Sequence, residues 1–181
     1  MVLPKIGAEV FAAPFGYGSP ARTGFAGSAE GVSLETGATP FMDGGLRKLF
    51  REHFPEAQWT SVETGSTGAG VPDAEYCFPG GRQGWIEFKL CVANVVRIDP
   101  EQVAWAERRH RNGGPIFLAV RQKALQGPRR KAVDALHLYR GVQTRAVLLG
   151  GLATVPFARW DGGPARWDWD RIKQVLIGQN T

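Results

Sequence analysis

The sequence predicts an α/β fold in which helices flank a central mixed β-sheet. From residue 41 onward, amphipathic helical segments alternate with short runs that are rich in strand-forming residues. The apolar run at 115–121 follows the best-marked helix directly, which is the order expected for a helical crossover into a buried strand. Hydrophobic residues make up 43% of the 181-residue chain and charged residues 22%, so one domain with a hydrophobic core is expected.

The composition divides the chain into two regions. Residues 1–40 are rich in Gly, Ala, Ser and Thr without a helical or strand period, and they are predicted to form an N-terminal arm or extension. Residues 41–181 are predicted to form the domain. Its first helix is expected between Leu46 and Phe54, where apolar residues recur at three- and four-residue spacing before Pro55.

A β-hairpin is predicted in the middle of the chain. The predicted elements are, in order, a strand at 58–63, a Gly-rich loop, a strand at 73–78, a turn at 79–84 and a strand at 85–90. This order makes the strands on either side of the turn neighbours in the sheet.

The following helix has a complete start signal. Asp99 provides a capping carboxylate, Pro100 occupies the first helical position, and Gln102 stands where a capping box requires Glu or Gln. The helix is predicted to run to about Arg111. The remaining predicted elements are strands at 115–121 and 134–139 and a C-terminal helix between Asp168 and Gly178.

The charge of the chain indicates a class of binding partner, and its cysteine content indicates a cellular compartment. The net charge of +5 and the pI near 9.6 favour a polyanionic partner such as nucleic acid, although they also suit a merely basic soluble protein. Cys77 and Cys91 form no zinc or redox pattern, which favours a reducing cytoplasm. No apolar run approaches the ~18 residues that cross a membrane, so neither export nor membrane insertion is expected.

Three side chains with complementary chemistry converge on the predicted hairpin. Asp73 stands at the start of its first strand, while Glu87 and Lys89, two residues apart, point to one face of the second. Two nearby carboxylates repel each other unless a cation lies between them, and Mg²⁺ prefers oxygen ligands of this kind. Such an ion would polarise a phosphate and acidify a water, which Lys89 could orient. These residues therefore predict phosphodiester hydrolysis.

The same residues carry a resemblance to a known superfamily. Pro72-Asp73 matches the "PD" and Glu87-Phe88-Lys89 matches the "(D/E)XK" of the PD-(D/E)XK nucleases, and the similarity extends over roughly residues 41–121. The arrangement is most similar to the archaeal-type and phage Holliday junction resolvases and their VRR-NUC relatives. These proteins also have a Gly/Ser loop before "PD" and a Gln at the start of the next helix, which Gln102 matches.

The resemblance implies a restriction-endonuclease-like core and a role for each matched residue. Asp73 and Glu87 would bind Mg²⁺ or Mn²⁺, and the Phe88 carbonyl could add a ligand. Lys89 would be catalytic, and Gln102 would support the site or contact the backbone. The substrate would be DNA, with a four-way or other branched junction cut by a homodimer in the cytoplasm of a bacterial or phage-infected host cell.

One position of the family pattern lacks a clear match. The family commonly has an acidic residue on the first helix that completes the metal shell, and neither Asp43 nor Glu52 stands at a convincing register. Glu63, on the strand that leads into the loop, is the preferred candidate.

Further residues are candidates for DNA contact. They comprise two loop hydroxyls, the basic end of the helix at 99–111 and a second basic cluster: Ser66, Thr67, Arg108, Arg109, Arg111, Lys123, Arg129, Arg130 and Lys131. The basic helix end could equally serve to balance the helix dipole, and the second cluster could be a solvated loop.

Two alternative functions stay open on the sequence alone. The first is a restriction-like, repair or nicking endonuclease on the same core. The second is a catalytically inactive DNA-binding or inhibitory module, which the missing first-helix acid favours. If the chain has no catalytic activity, Glu87 and Lys89 would be ordinary strand residues exposed to solvent.

Overall fold

The computed structural model describes residues 43–62, 68–91, 93–124 and 132–178. The helices are α1 (Leu46–His53), α2 (Pro100–Arg111), α3 (Thr144–Gly150) and α4 (Trp169–Leu176), with short 3-10 turns at Gly141–Gln143 and Gly151–Ala153. The strands are β1 (Gln58–Ser61), β2 (Ala74–Phe78), β3 (Arg82–Cys91), β4 (Ile116–Ala124), β5 (Val133–Arg140) and β6 (Ala158–Asp161).

The six strands form one sheet in chain order, from β1 at one edge to β6 at the other. The β3–β4 pair is parallel, and the other four pairs are antiparallel. Parallel neighbours need a crossover connection, which α2 supplies between β3 and β4. The prediction of an α/β fold with a mixed sheet flanked by helices is therefore confirmed.

Side chains that alternate along the strands build one hydrophobic core on each face of the sheet. On the first face α1 and α4 pack on the strands, through residues such as Phe50 and Ile172 that contact the layer of Phe88. On the second face α2 and α3 cover Leu118 and Val120. Glu87 and Lys89 alternate with Phe88, so they belong to the face that α2 covers.

A buried arginine ties the segment before α1 to the centre of the sheet. Arg121 on β4 is 8% exposed and forms a two-pronged ion pair with Asp134, with N···O distances of 2.8 and 2.6 Å. Its Nη1 donates to the Gly44 carbonyl at 2.6 Å, and its guanidinium lies over the Trp167 ring. This contact fixes the chain where α1 begins.

Several predicted boundaries need correction. The turn of the hairpin occupies only residues 79–81, because β3 already begins at Arg82, and β1 ends at Ser61 rather than at residue 63. Both differences arise because strand ends depend on pairing with the neighbouring strand, which the propensity of a single segment does not reveal.

The C-terminal helix begins after Asp168, as predicted. The Asp168 carboxylate accepts the Arg171 N–H at 2.8 Å, and the helix contributes buried residues to the core.

The predicted N-terminal arm at 1–40 lies outside the described residues. In the part of the chain that the structure describes, every helix is too short or too polar to cross a bilayer.

Candidate active site at the open end of the hairpin

Asp73 and Glu87 face each other where the β2–β3 hairpin opens. Ala74 pairs with Ile86, so Asp73 lies opposite Glu87 just before β2 begins. The Asp73 N–H donates to Glu87 Oε2 at 3.1 Å, and the Phe88 N–H donates to Asp73 Oδ2 at 2.8 Å. At the point where the strand pairing stops, each carboxylate thus accepts the hydrogen bond that a carbonyl of the partner strand accepts elsewhere in the hairpin.

Lys89 and Gln102 both contact the other oxygen of Glu87. Lys89 Nζ lies 2.8 Å from Glu87 Oε1, because residues two apart on a strand share a face. Gln102 Nε2 donates to the same oxygen at 2.7 Å from the first turn of α2. Glu87 is only 6% exposed, so these two donors compensate for much of the lost hydration.

The start of α2 fixes the orientation of the Gln102 amide. Asp99 caps the helix, and Gln102 Oε1 accepts the Asp99 N–H at 3.1 Å, so the amide nitrogen is left to face Glu87. Gly70 at the end of the Gly-rich loop packs on this turn, since an added Cβ would lie 2.3 Å from the Glu101 carbonyl oxygen. The loop, the helix start and Glu87 therefore hold one another in place.

Arg47 on α1 completes the site and was missed by the sequence analysis. Its Nη2 lies 2.7 Å from Asp73 Oδ1, which gives the second carboxylate a cationic partner as well. Its place beside Leu46 in the amphipathic segment does not indicate a contact with Asp73, 26 residues further along the chain.

Burial and the Asp73 carboxylate act on the pKa of Glu87 in one direction, and the Lys89 ammonium acts in the other. Removal of the carboxyl from water raises its pKa, the nearby Asp73 carboxylate raises it further, and the Lys89 ammonium lowers it, with a net rise to about 6. Two carboxylates and two side-chain cations, Arg47 and Lys89, thus lie within one hydrogen-bonded cluster. A further cation between the carboxylates would relieve their mutual repulsion.

The donor set of the cluster suits a hard divalent cation. Asp73 Oδ1, Asp73 Oδ2 and Glu87 Oε2 each accept one hydrogen bond and keep a further lone pair, and Mg²⁺ prefers such oxygen ligands. The Phe88 carbonyl points to the same side of β3 as the Phe88 N–H, which contacts Asp73, because both groups of a strand residue face one neighbour. Asp73, Glu87 and the Phe88 carbonyl could therefore bind one ion, with waters as further ligands.

The expected third acidic ligand does not come from the first helix. Asp43 accepts the Gly45 and Arg47 N–H groups at 2.9 and 3.2 Å and so caps α1, while Glu52 is exposed and lies 3.7 Å from Lys48. Among the described residues, no three His, Cys, Asp or Glu side chains form a group that could hold a metal. Glu63 lies outside the described residues.

The candidate DNA-contact residues that the structure describes lie in two separate places. Lys123 lies three residues beyond Val120, the partner of Lys89, and so about 10 Å past it along β4 at the same end of the sheet. Arg111 lies nine residues after Gln102, about 13 Å away along α2, together with Arg108 and Arg109. The candidates outside the described residues are Ser66, Thr67, Arg129, Arg130 and Lys131.

An ordinary solvated strand does not explain this arrangement, because Glu87 is buried and its three close polar contacts, with the Asp73 N–H, Lys89 and Gln102, belong to one cluster. Comparison of the chain with protein-family models, with curated proteins and with solved structures found no match. A proposal of function for this chain therefore depends on the geometry of the site.

Proposed function

We propose that this protein is a metal-dependent endonuclease that hydrolyses phosphodiester bonds in DNA. The observation that carries the proposal is the buried Glu87 carboxylate, which lies opposite Asp73 at the open end of the hairpin and contacts Lys89 at 2.8 Å. A pair of carboxylates beside a lysine is what hydrolysis of a phosphodiester requires when an Mg²⁺ or Mn²⁺ ion is bound.

Each residue of the cluster has a distinct task in this proposal. Asp73, Glu87 and the Phe88 carbonyl would hold the ion, which when bound lowers the pKa of a water and offsets charge on the phosphate. The Lys89 ammonium would hold that water or stabilise the charge that develops on phosphorus-bound oxygen. Gln102 would keep the Glu87 carboxylate in place through its hydrogen bond at 2.7 Å.

The fold supports a finer proposal, a restriction-endonuclease-like core. Such a core needs the two carboxylates on adjacent antiparallel strands and a helix that returns the chain to a parallel neighbour. Here β2 and β3 are antiparallel, and α2 connects β3 to the parallel β4. The site thus lies beside the crossover helix, which presents Gln102 to it.

Branched DNA is the substrate class that we propose, on the resemblance to junction resolvases. A four-way junction must be cut at two symmetric positions, which two copies of one site in a homodimer would provide. The setting would be the cytoplasm of a bacterial or phage-infected host cell. A restriction-like, repair or nicking endonuclease would use the same chemistry on another DNA substrate.

One observation favours a second candidate, a catalytically inactive DNA-binding or inhibitory module. Arg47 comes from the first helix, where the resemblance leads us to expect an acidic metal ligand, and its guanidinium already contacts Asp73. A cation in that place could substitute for the metal ion and leave a site that binds DNA without cutting it.

Cleavage of matched DNA substrates separates these candidates. A four-way junction, a flap and a plain duplex are incubated with the protein in Mg²⁺, Mn²⁺ or EDTA, beside Asp73→Asn as the inactive control. We expect metal-dependent cuts at paired, symmetric positions of the junction, which Asp73→Asn abolishes without loss of junction binding. Preference for plain duplex contradicts the resolvase proposal, and junction binding without any cleavage supports the inactive module.

A further inference from the structure

A second site lies at the opposite end of the sheet from the carboxylate cluster. A cleft of about 510 Å³ is bounded by the start of β3, the loop after α2 and the end of α4. Arg82 at its rim precedes Glu87 by five residues of one strand, a separation of about 17 Å. The cleft is therefore separate from the proposed active site and does not depend on it.

The permanently charged side chains that line this cleft are both arginines. Arg82, His110 and Arg140 line it, and its lining includes no Asp or Glu. Within the described part of the chain, neither Arg82 nor Arg140 forms an ion pair. The Arg140 guanidinium is held over the Phe157 ring, 3.8 Å from its centroid, and an arginine without a carboxylate partner can bind an anionic ligand.

A third arginine lies behind the wall of the cleft. Arg109 Nε is buried and has no hydrogen-bond partner among the described residues. It lies against Gly114, a lining residue, because a Cβ added at Gly114 would be 2.2 Å from that nitrogen. Arg109 therefore packs behind Gly114 and adds positive charge near the cleft without being part of its lining.

The floor of the cleft is apolar and held in place. Ile116, Phe117, Val175 and Leu176 contribute to it. The Tyr76 hydroxyl donates to the Leu176 carbonyl at 2.9 Å, which fixes the end of α4 against the sheet. A ligand that fits must therefore combine an anionic group with an uncharged body, and the volume suits a small molecule or a strand end rather than a duplex.

We propose that this cleft binds a phosphate monoester attached to a nucleoside, with the phosphate on the arginines and the base or sugar on the apolar floor. The planar guanidinium fork matches two phosphate oxygens at once, which favours phosphate over a lone carboxylate. The same chemistry is offered by a free mononucleotide and by the 5′-phosphorylated end of a DNA strand.

Binding in EDTA tests the proposal without any contribution from metal or cleavage. The full chain is titrated with thymidine, dTMP and short oligothymidylates with and without a 5′-phosphate, by calorimetry or by amide chemical shifts. We expect dTMP or the phosphorylated oligonucleotide to bind at least about tenfold more tightly than its unphosphorylated counterpart, because charge-assisted hydrogen bonds to the phosphate are gained. Preference for the oligonucleotide identifies a strand end, and preference for dTMP a free nucleotide.

Matched arginine variants locate the binding site. Arg82→Gln and Arg140→Gln are exposed changes that should each weaken binding about tenfold. Arg166→Gln removes the same charge from the other end of the sheet and should leave affinity unchanged; unaltered thermal unfolding checks that all three fold. Equal affinity for phosphorylated and unphosphorylated probes, absence of binding at millimolar concentration, or equal weakening by Arg166→Gln would each overturn the proposal.

Discussion

The backbone N–H of Asp73 donates to Glu87 Oε2 at 3.1 Å across the open end of the β2–β3 hairpin. The next residue of β3, Phe88, returns a hydrogen bond to Asp73 Oδ2 at 2.8 Å. The proposed metal ligands are thus also part of the strand pairing. Substitutions can separate what each carboxylate contributes to the stability of the fold from what it contributes to metal binding.

Asp73→Ala should destabilise the fold more than Asp73→Asn. Alanine leaves the Phe88 N–H without its acceptor, which costs about 1–3 kcal/mol, whereas the asparagine oxygen can still accept that hydrogen bond. Urea unfolding of both variants without metal measures the difference. Equal loss of stability would show that the bond to Phe88 contributes little.

Gln102→Glu should make stability depend more strongly on Mg²⁺. The new carboxylate can still accept the Asp99 N–H, but it replaces the donor that contacts Glu87 and adds a like charge there. We expect a loss of about 1–3 kcal/mol at pH 8 in EDTA, much of which Mg²⁺ restores. Gln102→Met, which adds no charge, is the control. If Mg²⁺ raises the free energy of unfolding equally in both variants, residue 102 does not lie beside a metal site at Glu87.

Arg47→Gln should strengthen metal binding in the absence of DNA. The guanidinium 2.7 Å from Asp73 Oδ1 repels a nearby dication, so its removal should tighten Mn²⁺ binding by about threefold to tenfold. Calorimetric titration measures the change. Arg51→Gln, one turn further along α1 and in contact with Ser61, is the matched control. Weaker Mn²⁺ binding by Arg47→Gln would mean that the guanidinium supports the metal site instead of competing with it.

The buried His137 should make stability fall in acid. Burial lowers its pKa to about 4, with a smaller effect from the Arg159 cation, whereas in the unfolded chain the imidazole titrates near 6.5. Below pH 6.5 the unfolded state therefore binds a proton that the folded state does not, so the free energy of unfolding decreases down to about pH 4. After allowance for solvent screening, the loss is on the order of 1–2 kcal/mol.

Urea unfolding between pH 7 and pH 4 tests this dependence. His137→Gln keeps an amide donor that can contact Gln122, and it should show a shallower decline than the natural protein. Parallel curves for the natural protein and His137→Gln would exclude His137 as the cause.

Local signals predicted a large part of the fold and of the site. The helix start at Asp99 and Gln102, the hairpin and the shared face of Glu87 and Lys89 all depend on spacing along one segment, and the structure has these elements where the sequence indicated them. Arg47 could not be identified in this way, because its contact with Asp73 depends on how α1 packs on the sheet. Packing between residues distant in sequence therefore determines which α1 side chain reaches Asp73.

The same distinction explains the scattered basic residues. Arg108 and Arg111 are close to Gln102 in sequence, but α2 carries them away from the carboxylates by its own length. Lys123 is distant in sequence from Glu87 and yet lies at the same end of the sheet, because β4 runs parallel to β3. Sequence proximity was therefore a poor guide to which charges share a surface.

The most direct test of the central claim is the single-turnover rate of junction cleavage by Glu87→Gln. Glu101→Gln, an exposed change on the first turn of α2, is the matched control. The proposed site predicts that Glu87→Gln lowers the Mg²⁺-dependent rate at least about a hundredfold while junction binding and Glu101→Gln activity are retained. A Glu87→Gln rate equal to that of the natural protein, or cleavage that persists in EDTA, would contradict it.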